Sequence, residues 1–389
     1  MTYWTQFWGR FFKFSSLPFY LDRWLLRLPT GWHFTFGFWI RCTVDSPGAP
    51  PSAILNNTEG YHCHVPLGWA KAEDLRLLKL HPGNPGDPIR ISLIATTSHD
   101  APPYEAISYV WGSDLDHSEI IVDGSRFRIT KNLHDAFEAL RYPASVRTMW
   151  ADQVCIDQSN VTERNHQVRK MDMVYGTAKS VVVDLRVPTE QTGTDMQHVQ
   201  SFLQPHIKGK DAPWSHIAIP DLERSVSNII GRRWFERMWT VQEAVLARHI
   251  VLQCGQYRIQ WTADLRTLRA LVFRVKSAIV SPLYNLHERN AKELDWMPLL
   301  HILESQMRQA ARRGGVVSQR NLLDVAFDFR YRRCSDPRDK YLAFLAIIED
   351  DQRRSSGFIS DYRMGTEEVY EHFRAAVQQL SEIEDVPLA

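Results

Sequence analysis

Three things are scarce in this 389-residue sequence: cysteine, an excess of charge of one sign, and long uninterrupted apolar runs. The five cysteines are odd in number and widely spaced, so they do not form the disulfide framework of a small secreted protein. We therefore expect a reducing, cytoplasmic compartment. The formal net charge of +1 provides no electrostatic attraction for nucleic acid, and we predict no nucleic-acid partner.

Residues 1–60 are predicted to be an aromatic-rich N-terminal extension and linker. Its first 45 residues are rich in aromatic and basic side chains, a composition found in segments that lie at a membrane surface. A spanning helix requires about 20 apolar residues, and Arg27, Pro29 and His33 interrupt the most apolar stretch. No signal-peptide cleavage site follows. We favour an extension that packs on the domain or stays loose; membrane contact through residues 1–45 is the alternative.

Two kinds of site are disfavoured by the motifs. His62, Cys63 and His64 are potential metal ligands, but adjacent residues rarely build a tetrahedral site alone, and no partner pair at metal spacing follows. A Gly-Lys-Ser/Thr phosphate loop is also absent. We therefore predict no metal and no required cofactor.

Alternating strand and helix patterns predict an α/β domain over residues 61–261. Apolar runs predict strands at 89–94, 106–111, 148–156 and 180–185. Helical periodicity predicts helices at 132–141, 162–178, 222–230 and 234–247. This order is typical of a mainly parallel sheet flanked by helices. Residues 262–389 are predicted to form a mostly helical C-terminal region.

Turn and cap residues refine this prediction. Asp123-Gly124 predicts a hairpin, because both central positions of that turn need a positive φ. Asn132 is expected to cap the first helix, and Asn160 with Glu163 is expected to form a capping box. Residues 187–220 are rich in proline and are interpreted as a variable insertion.

Several ordered blocks resemble the fungal HET (heterokaryon-incompatibility) family. They are Tyr104–Gly112, Asn132-Leu133 with Ala139–Arg141, Trp150–Gln158, Glu163–Tyr175, Arg233–Glu243 and Cys254-Gly255. Further similar segments are Asp336–Tyr341, Asp361-Tyr362 and Glu368–Tyr370, so the resemblance extends over residues 89–380. One block alone carries little weight, whereas this ordered set is specific.

The sequence departs from the family pattern at three places. Ala151 and Asp157 stand where the family usually has isoleucine and asparagine. The valine-rich strand ends in Val183-Asp184-Leu185-Arg186, where the family tends to have Trp-Leu-Gly. The missing glycine puts the conformation of the following loop in question.

The resemblance also implies a fold and a chemistry. HET domains look like remote relatives of TIR domains, which have a flavodoxin-like, doubly wound sheet, and some TIR domains cleave the nicotinamide–ribose bond of NAD with a glutamate. The spacing of Trp239 and Glu243 is similar to that on the TIR catalytic helix. This similarity implies Glu243 as the catalytic carboxylate, with Trp239 at the site. The structural alternative is that Glu243 pairs with Arg237 or Arg233.

Four more residues are candidates for contact with NAD as substrate. Tyr109, Trp111 and Gly112 follow the strand at 106–111, where ligands of open α/β sheets bind, and Asp152 lies at the end of the next predicted strand. Trp111 would stack on a base, and Gly112 would let a backbone amide approach phosphate. The alternatives are that Trp111 packs in the core and that Asp152 orients its own loop. Cys155 is interpreted as a buried packing residue.

Two functions are compatible with these observations. The first is an incompatibility-type protein that acts in fungal non-self recognition and programmed cell death, as an NAD glycohydrolase. The second is a non-enzymatic, self-associating adaptor of the same pathway. Either reading implies a possible homo-oligomer and an unknown recognition partner protein.

Overall fold

The computed structural model describes residues 24–27, 33–36, 74–113, 115–205, 210–262, 264–280, 296–315, 322–348 and 350–384. Residues 1–43 are one compact unit, in which strands β1 (Trp24–Arg27) and β2 (His33–Phe36) pair antiparallel. The other residues of the predicted N-terminal extension, and the triplet His62 to His64, lie outside the described residues. Residues 44–389 are the second unit.

A nine-stranded sheet forms the centre of the second unit. Its strands are β3 (Asp74–Leu80), β4 (Arg90–Thr97), β5 (Glu105–Ser108), β6 (His117–Val122), β7 (Ser125–Thr130), β8 (Arg147–Trp150), β9 (Ser180–Asp184), β10 (His249–Cys254) and β11 (Tyr257–Thr262). Their spatial order is β11-β10-β9-β5-β8-β3-β4-β6-β7. Strands β8, β5, β9 and β10 run parallel to one another, as β4 does to β6, and the other neighbours are antiparallel.

Strand β3 is a finding that the sequence patterns did not predict. It pairs antiparallel with both β4 and β8, so it separates the four parallel strands from the β6–β7 hairpin. Leu75, Leu77, Leu78 and Leu80 are almost fully buried, and so is Arg76 between them. Because both faces of the strand are covered, it lacks the alternation of apolar and polar residues that marks a half-exposed strand.

The hairpin prediction is confirmed, and the first helix needs one correction. Asp123 and Gly124 have φ values of 46° and 87° in the turn between β6 and β7. Helix α1 (Lys131–Leu140) buries its predicted apolar stripe, but its N-cap is Thr130, whose side chain accepts from the Leu133 amide. Asn132 instead lies within the helix and donates Nδ2 to the Val110 carbonyl at 2.8 Å.

The next helices differ in continuity from the predictions. They are α2 (Asp152–Cys155), α3 (Val161–Val168), α4 (Met171–Thr177), α5 (Thr192–Leu203), α6 (Ile219–Ile230) and α7 (Thr240–Leu246). The helix predicted at 162–178 is therefore interrupted between α3 and α4. The helix predicted at 234–247 is a 3-10 turn at Arg233–Glu236 followed by α7. The proline-rich stretch 187–220 contains α5, which buries Met196, Val199 and Phe202.

The strand-to-loop turn after β9 shows how the missing family glycine is accommodated. Arg186 itself adopts a φ of +72°, the left-handed region that favours glycine. Its backbone carbonyl accepts from the Cys254 thiol, and the Arg232 guanidinium binds the neighbouring Leu185 carbonyl at 2.7 Å. These contacts hold the turn despite the cost of a side chain at this φ.

The C-terminal region is helical, as predicted. Its helices are α8 (Leu265–Val280), α9 (Met297–Arg313), α10 (Leu322–Phe329), α11 (Asp339–Leu342), α12 (Asp350–Ser356) and α13 (Thr366–Glu384). It is joined to α3 by polar contacts: Asn165 donates to Asp361 at 2.8 Å and accepts from the Tyr362 amide at 2.9 Å. The predicted class, an α/β sheet domain followed by a helical region, is confirmed. None of the helices in the described part of the chain has the length and apolar character that a membrane span requires.

Candidate functional site

A cluster of polar side chains lies at the carboxyl ends of the parallel strands. Ser108 ends β5, Asp152 follows β8 after one residue, and Glu243 lies in α7. This edge of an open α/β sheet is where ligands bind. The structure therefore brings together the predicted Asp152 and Glu243, which are 91 residues apart in the chain (243 − 152).

Glu243 is the most deeply placed carboxyl group of this cluster. The residue is 9% exposed, and the Ser108 hydroxyl donates a short hydrogen bond to its Oε2. Burial raises the pKa of Glu243 to about 8; the Ser108 hydrogen bond opposes this rise, and the nearby charge of Asp152 adds to it. At neutral pH the carboxyl group is therefore mostly uncharged.

Trp234 contacts the same hydroxyl that binds Glu243. The indole Nε1 of Trp234 donates to the Ser108 Oγ at 2.6 Å. The Ser108 hydroxyl in turn donates to Oε2 of Glu243. All three residues are buried.

Asp152 stands nearer the surface and binds two neighbours. Its Oδ2 accepts from the Trp111 indole at 2.7 Å, and its Oδ1 accepts from the Gln153 amide at 2.7 Å. Burial raises the pKa of Asp152, and these hydrogen bonds oppose the rise. Asp152 and Trp111 are both partly exposed, so this side of the cluster faces the solvent. The bond to the Gln153 amide also supports the loop-orienting alternative for Asp152.

Two tyrosines complete the buried wall of the site. Burial raises the pKa of Tyr109 and that of Tyr175 well above the ordinary value, so both phenols are neutral. A hydrogen bond from Tyr175 helps to stabilise the charged form of Glu243. The Tyr109 hydroxyl lies beside Asp152, yet it has no partner at hydrogen-bonding geometry among the described residues.

Gly112 is required by the turn that follows β5. Its φ is +90°, and a Cβ at this position would lie 2.5 Å from the Nδ2 of Asn132. Because Asn132 holds the Val110 carbonyl, any side chain at 112 would displace this contact. The absence of a side chain at Gly112, which we interpreted as space for a ligand phosphate, is thus also needed for the contact between Asn132 and Val110.

Trp239 is joined to Glu243 through the backbone. It lies just before α7, and the Glu243 amide donates to the Trp239 carbonyl at 3.4 Å. The Trp239 side chain instead forms a hydrogen bond with the buried Asp339. Arg233 is exposed, and neither Arg233 nor Arg237 forms an ion pair with Glu243 in the described structure.

Sequence reasoning missed the roles of Ser108, Tyr175 and Trp234, and it considered Arg237 only as a structural partner of Glu243. A signal for all four was present, because each lies inside a block that carries the family resemblance. Arg237 is half-buried and close enough to Tyr109, Asp152 and Glu243 to lower their pKa values.

Comparison with known proteins agrees with this geometry. Residues 104–243 match the model of the family described as Heterokaryon incompatibility protein (HET), a span that begins just before β5 and ends at Glu243. The matched segment is thus similar to a HET domain over 140 residues. It contains the whole cluster, whereas β3 and β4 precede it and the C-terminal helices follow it.

The chain is also similar to Heterokaryon incompatibility protein 6, OR allele, of Neurospora crassa. The two are 30% identical over 224 residues, covering 46% of this chain and 33% of the relative. The matched part thus spans about a third of the length of this curated relative. No solved structure matches the chain.

Proposed function

We propose that this chain acts in heterokaryon incompatibility, the fungal response to non-self that ends in programmed cell death, by hydrolysing the N-glycosidic bond of NAD at Glu243. The HET domain and the similarity to Heterokaryon incompatibility protein 6 support the cellular role. The observation that carries the chemistry is a buried carboxyl group at the ligand-binding edge of the sheet, held by Ser108 and accompanied by Asp152.

Cleavage of a nucleoside bond passes through a cationic, oxocarbenium-like state. An ionised Glu243 would stabilise that charge, and its fixed position would avoid reorganisation during the reaction. The partly exposed Trp111 and Asp152 lie at the open side of the cluster, where a base and ribose hydroxyls would enter. Because the pKa of Glu243 is about 8, we expect turnover to increase as the pH rises from 6 to 8.

The test is the loss of NAD over time with purified full-length chain, at a protein concentration high enough to permit assembly. Wild type is compared with Glu243→Gln, which keeps the size and the acceptor for Ser108, and with Glu236→Gln, a partly exposed glutamate of the preceding turn, as control. We expect NAD loss with wild type and Glu236→Gln, and at least a hundredfold slower loss with Glu243→Gln, on the order of a removed catalytic group. Equal rates in all three would contradict the catalytic proposal.

A second candidate is a self-associating adaptor without enzymatic activity. It is favoured by one observation: Ser108 and Tyr175 already satisfy Glu243, which is mostly neutral at pH 7, as a purely structural acid would be. In that case no variant consumes NAD, although light scattering detects assembly. Glu243→Gln would then retain its death-inducing activity in fungal cells.

A further inference from the structure

Arg237 differs from the other arginines of its segment. Arg232 is engaged by the Leu185 and Val187 carbonyls, and Arg233 is exposed to solvent. Arg237 is half-buried, and its guanidinium forms no hydrogen bond or ion pair with any residue that the structure describes. A partly buried guanidinium without a hydrogen-bond or ion-pair partner among the described residues is unusual, because the group has five N–H donors.

The backbone of Arg237 is held firmly. Its amide donates to the Trp234 carbonyl at 3.3 Å, and its carbonyl accepts from the Thr240 hydroxyl at 2.9 Å. An isolated backbone β-bridge between Arg237 and Arg333 joins the same segment to the C-terminal region. The side chain is therefore attached to a fixed stretch of backbone, as a preorganised binding group requires.

The charges around Arg237 leave its positive charge poorly compensated. Its charge acts on Tyr109 just after β5, Asp152 in α2 and Glu243 in α7. Tyr109 and Glu243 are mostly neutral at pH 7, so of these three groups only the carboxylate of Asp152 opposes the guanidinium. That carboxylate is already bound to Trp111 and the Gln153 amide.

The buried hydroxyl of Tyr109 is the independent second feature. The residue is 4% exposed, and its hydroxyl lies beside the Asp152 carboxylate without reaching any described residue at good hydrogen-bonding geometry. A buried donor without a well-aligned acceptor, close to a guanidinium without a partner among the described residues, is suited to bind a ligand oxygen. A neutral phenol and a guanidinium are both donors, and the ligand group that suits them is an anionic oxygen.

We propose that Arg237 and Tyr109 form an anion subsite that binds a phosphate group of a nucleotide at the open side of the Glu243 cluster. This inference rests on the proposed function for the nucleotide class, and on the geometry of Arg237 and Tyr109 for the phosphate. Arg237 provides a planar fork that matches phosphate oxygens, and Tyr109 provides a single donor from the buried wall. Trp111 lies close by, bonded to Asp152, on the exposed side of the cluster.

The test is calorimetric titration of the full-length chain with ADP and with adenosine, which lacks phosphate. Variants are Arg237→Ala, Tyr109→Phe and, as the matched control, Arg233→Ala, an exposed arginine of the same segment. We expect Arg237→Ala to weaken ADP binding by about tenfold to a hundredfold. Tyr109→Phe should weaken it by about fivefold, and Arg233→Ala should leave it unchanged. Adenosine should bind all four proteins equally weakly.

The outcomes separate this inference from the catalytic proposal. Arg237-dependent binding of ADP by a chain that never consumes NAD supports the subsite and contradicts the enzyme. Consumption of NAD with the same KM in wild type and Arg237→Ala overturns the subsite and leaves the enzyme standing. No ADP binding by wild type, or an equal loss in Arg233→Ala, also overturns the subsite. Circular dichroism of each variant establishes that it is folded.

Discussion

Glu243 and Asp339 are both buried acids with raised pKa values, to about 8 and about 6, but their surroundings differ in kind. Asp339 lies in the C-terminal region, where the Tyr362 hydroxyl donates to it at 2.7 Å and the Trp239 indole also binds it. The adjacent Arg338 is fully committed, with bonds to the Asp336 carboxylate and to the Tyr362 and Met364 carbonyls.

Around Glu243 the acid itself is satisfied by Ser108 and Tyr175, but two donors beside it are left without partners among the described residues. Its neighbouring arginine, Arg237, is uncommitted among the described residues, and its neighbouring tyrosine, Tyr109, has an unmet hydroxyl. A buried acid by itself therefore does not mark a functional site, because both clusters have one. The distinguishing feature is whether the surrounding donors are satisfied by the protein, as at Asp339, or remain available to a ligand, as at Glu243.

The largest expected effect is the pH dependence of stability that Glu243 contributes. Its pKa is 4.5 in the unfolded chain and about 8 in the folded one, so unfolding releases a proton between these values. The free energy of unfolding should fall as pH rises through this window, by roughly 1.4 kcal/mol per pH unit for one proton, and level off above it. Urea unfolding of wild type and Glu243→Gln from pH 5 to 9 measures this difference.

Two further variants separate the clusters in the same experiment. Asp339→Asn should remove pH dependence only between about 4 and 6, because the pKa of Asp339 rises only to about 6. Ser108→Ala removes a hydrogen bond that lowers the pKa of Glu243, so its window should extend to higher pH. A Glu243→Gln profile parallel to wild type at pH 6 to 8 would show that Glu243 is not a buried neutral acid.

The second prediction compares the two arginines. Arg338→Ala should lower the free energy of unfolding by about 2 to 3 kcal/mol, because the Asp336 carboxylate and the Tyr362 and Met364 carbonyls lose their donor. Arg237→Ala should change it by less than about 0.5 kcal/mol, because no partner among the described residues is lost. Denaturant unfolding at pH 7 measures both. An equal decrease in the free energy of unfolding for both variants would mean that Arg237 stabilises the fold as much as Arg338 does.

The third prediction compares the two tyrosines by removing a single oxygen from each. Tyr362→Phe should cost about 1 to 2 kcal/mol, because Asp339 loses a donor while remaining buried. Tyr109→Phe should be neutral or slightly stabilising, because it removes a hydroxyl that has no partner among the described residues. Thermal unfolding of both variants provides the measurement. If Tyr109→Phe is destabilising, the Tyr109 hydroxyl forms a stabilising hydrogen bond within the protein and is not available to a ligand.

Much of the fold could be predicted from sequence because local patterns report it. The hairpin at Asp123-Gly124 and the buried stripe of α1 follow from turn chemistry and helical period. Strand β3 could not be recognised, because burial on both faces erases its alternation. The left-handed Arg186 also has no local signal, since contacts from Arg232 and Cys254, distant in sequence, hold that turn.

The sequence indicated which residues belong to the site better than it indicated how they contact one another. The family resemblance indicated Glu243 and Asp152, and the structure places them at one edge of the sheet. The bond from Trp234 to Ser108 joins residues 126 positions apart, and no periodicity within one segment encodes such a contact. The hydrogen bond of Trp239 with Asp339 likewise joins residues distant in the chain, so the spacing of Trp239 and Glu243 could not indicate it.

The smallest expected effect tests whether Trp239 belongs to one cluster or to both. Trp239→Phe keeps the aromatic ring and removes the indole N–H that binds Asp339, so it should cost about 1 kcal/mol of stability. NAD consumption and ADP affinity should stay within about twofold of wild type, because the side chain is not bonded to Glu243, Asp152 or Arg237. Trp111→Phe removes the bond to Asp152, is the matched change in the Glu243 cluster, and should weaken ADP binding instead. If Trp239→Phe abolished turnover without loss of stability, the sequence-based assignment of this residue to the ligand site would be right, and the two clusters would have to be treated as one.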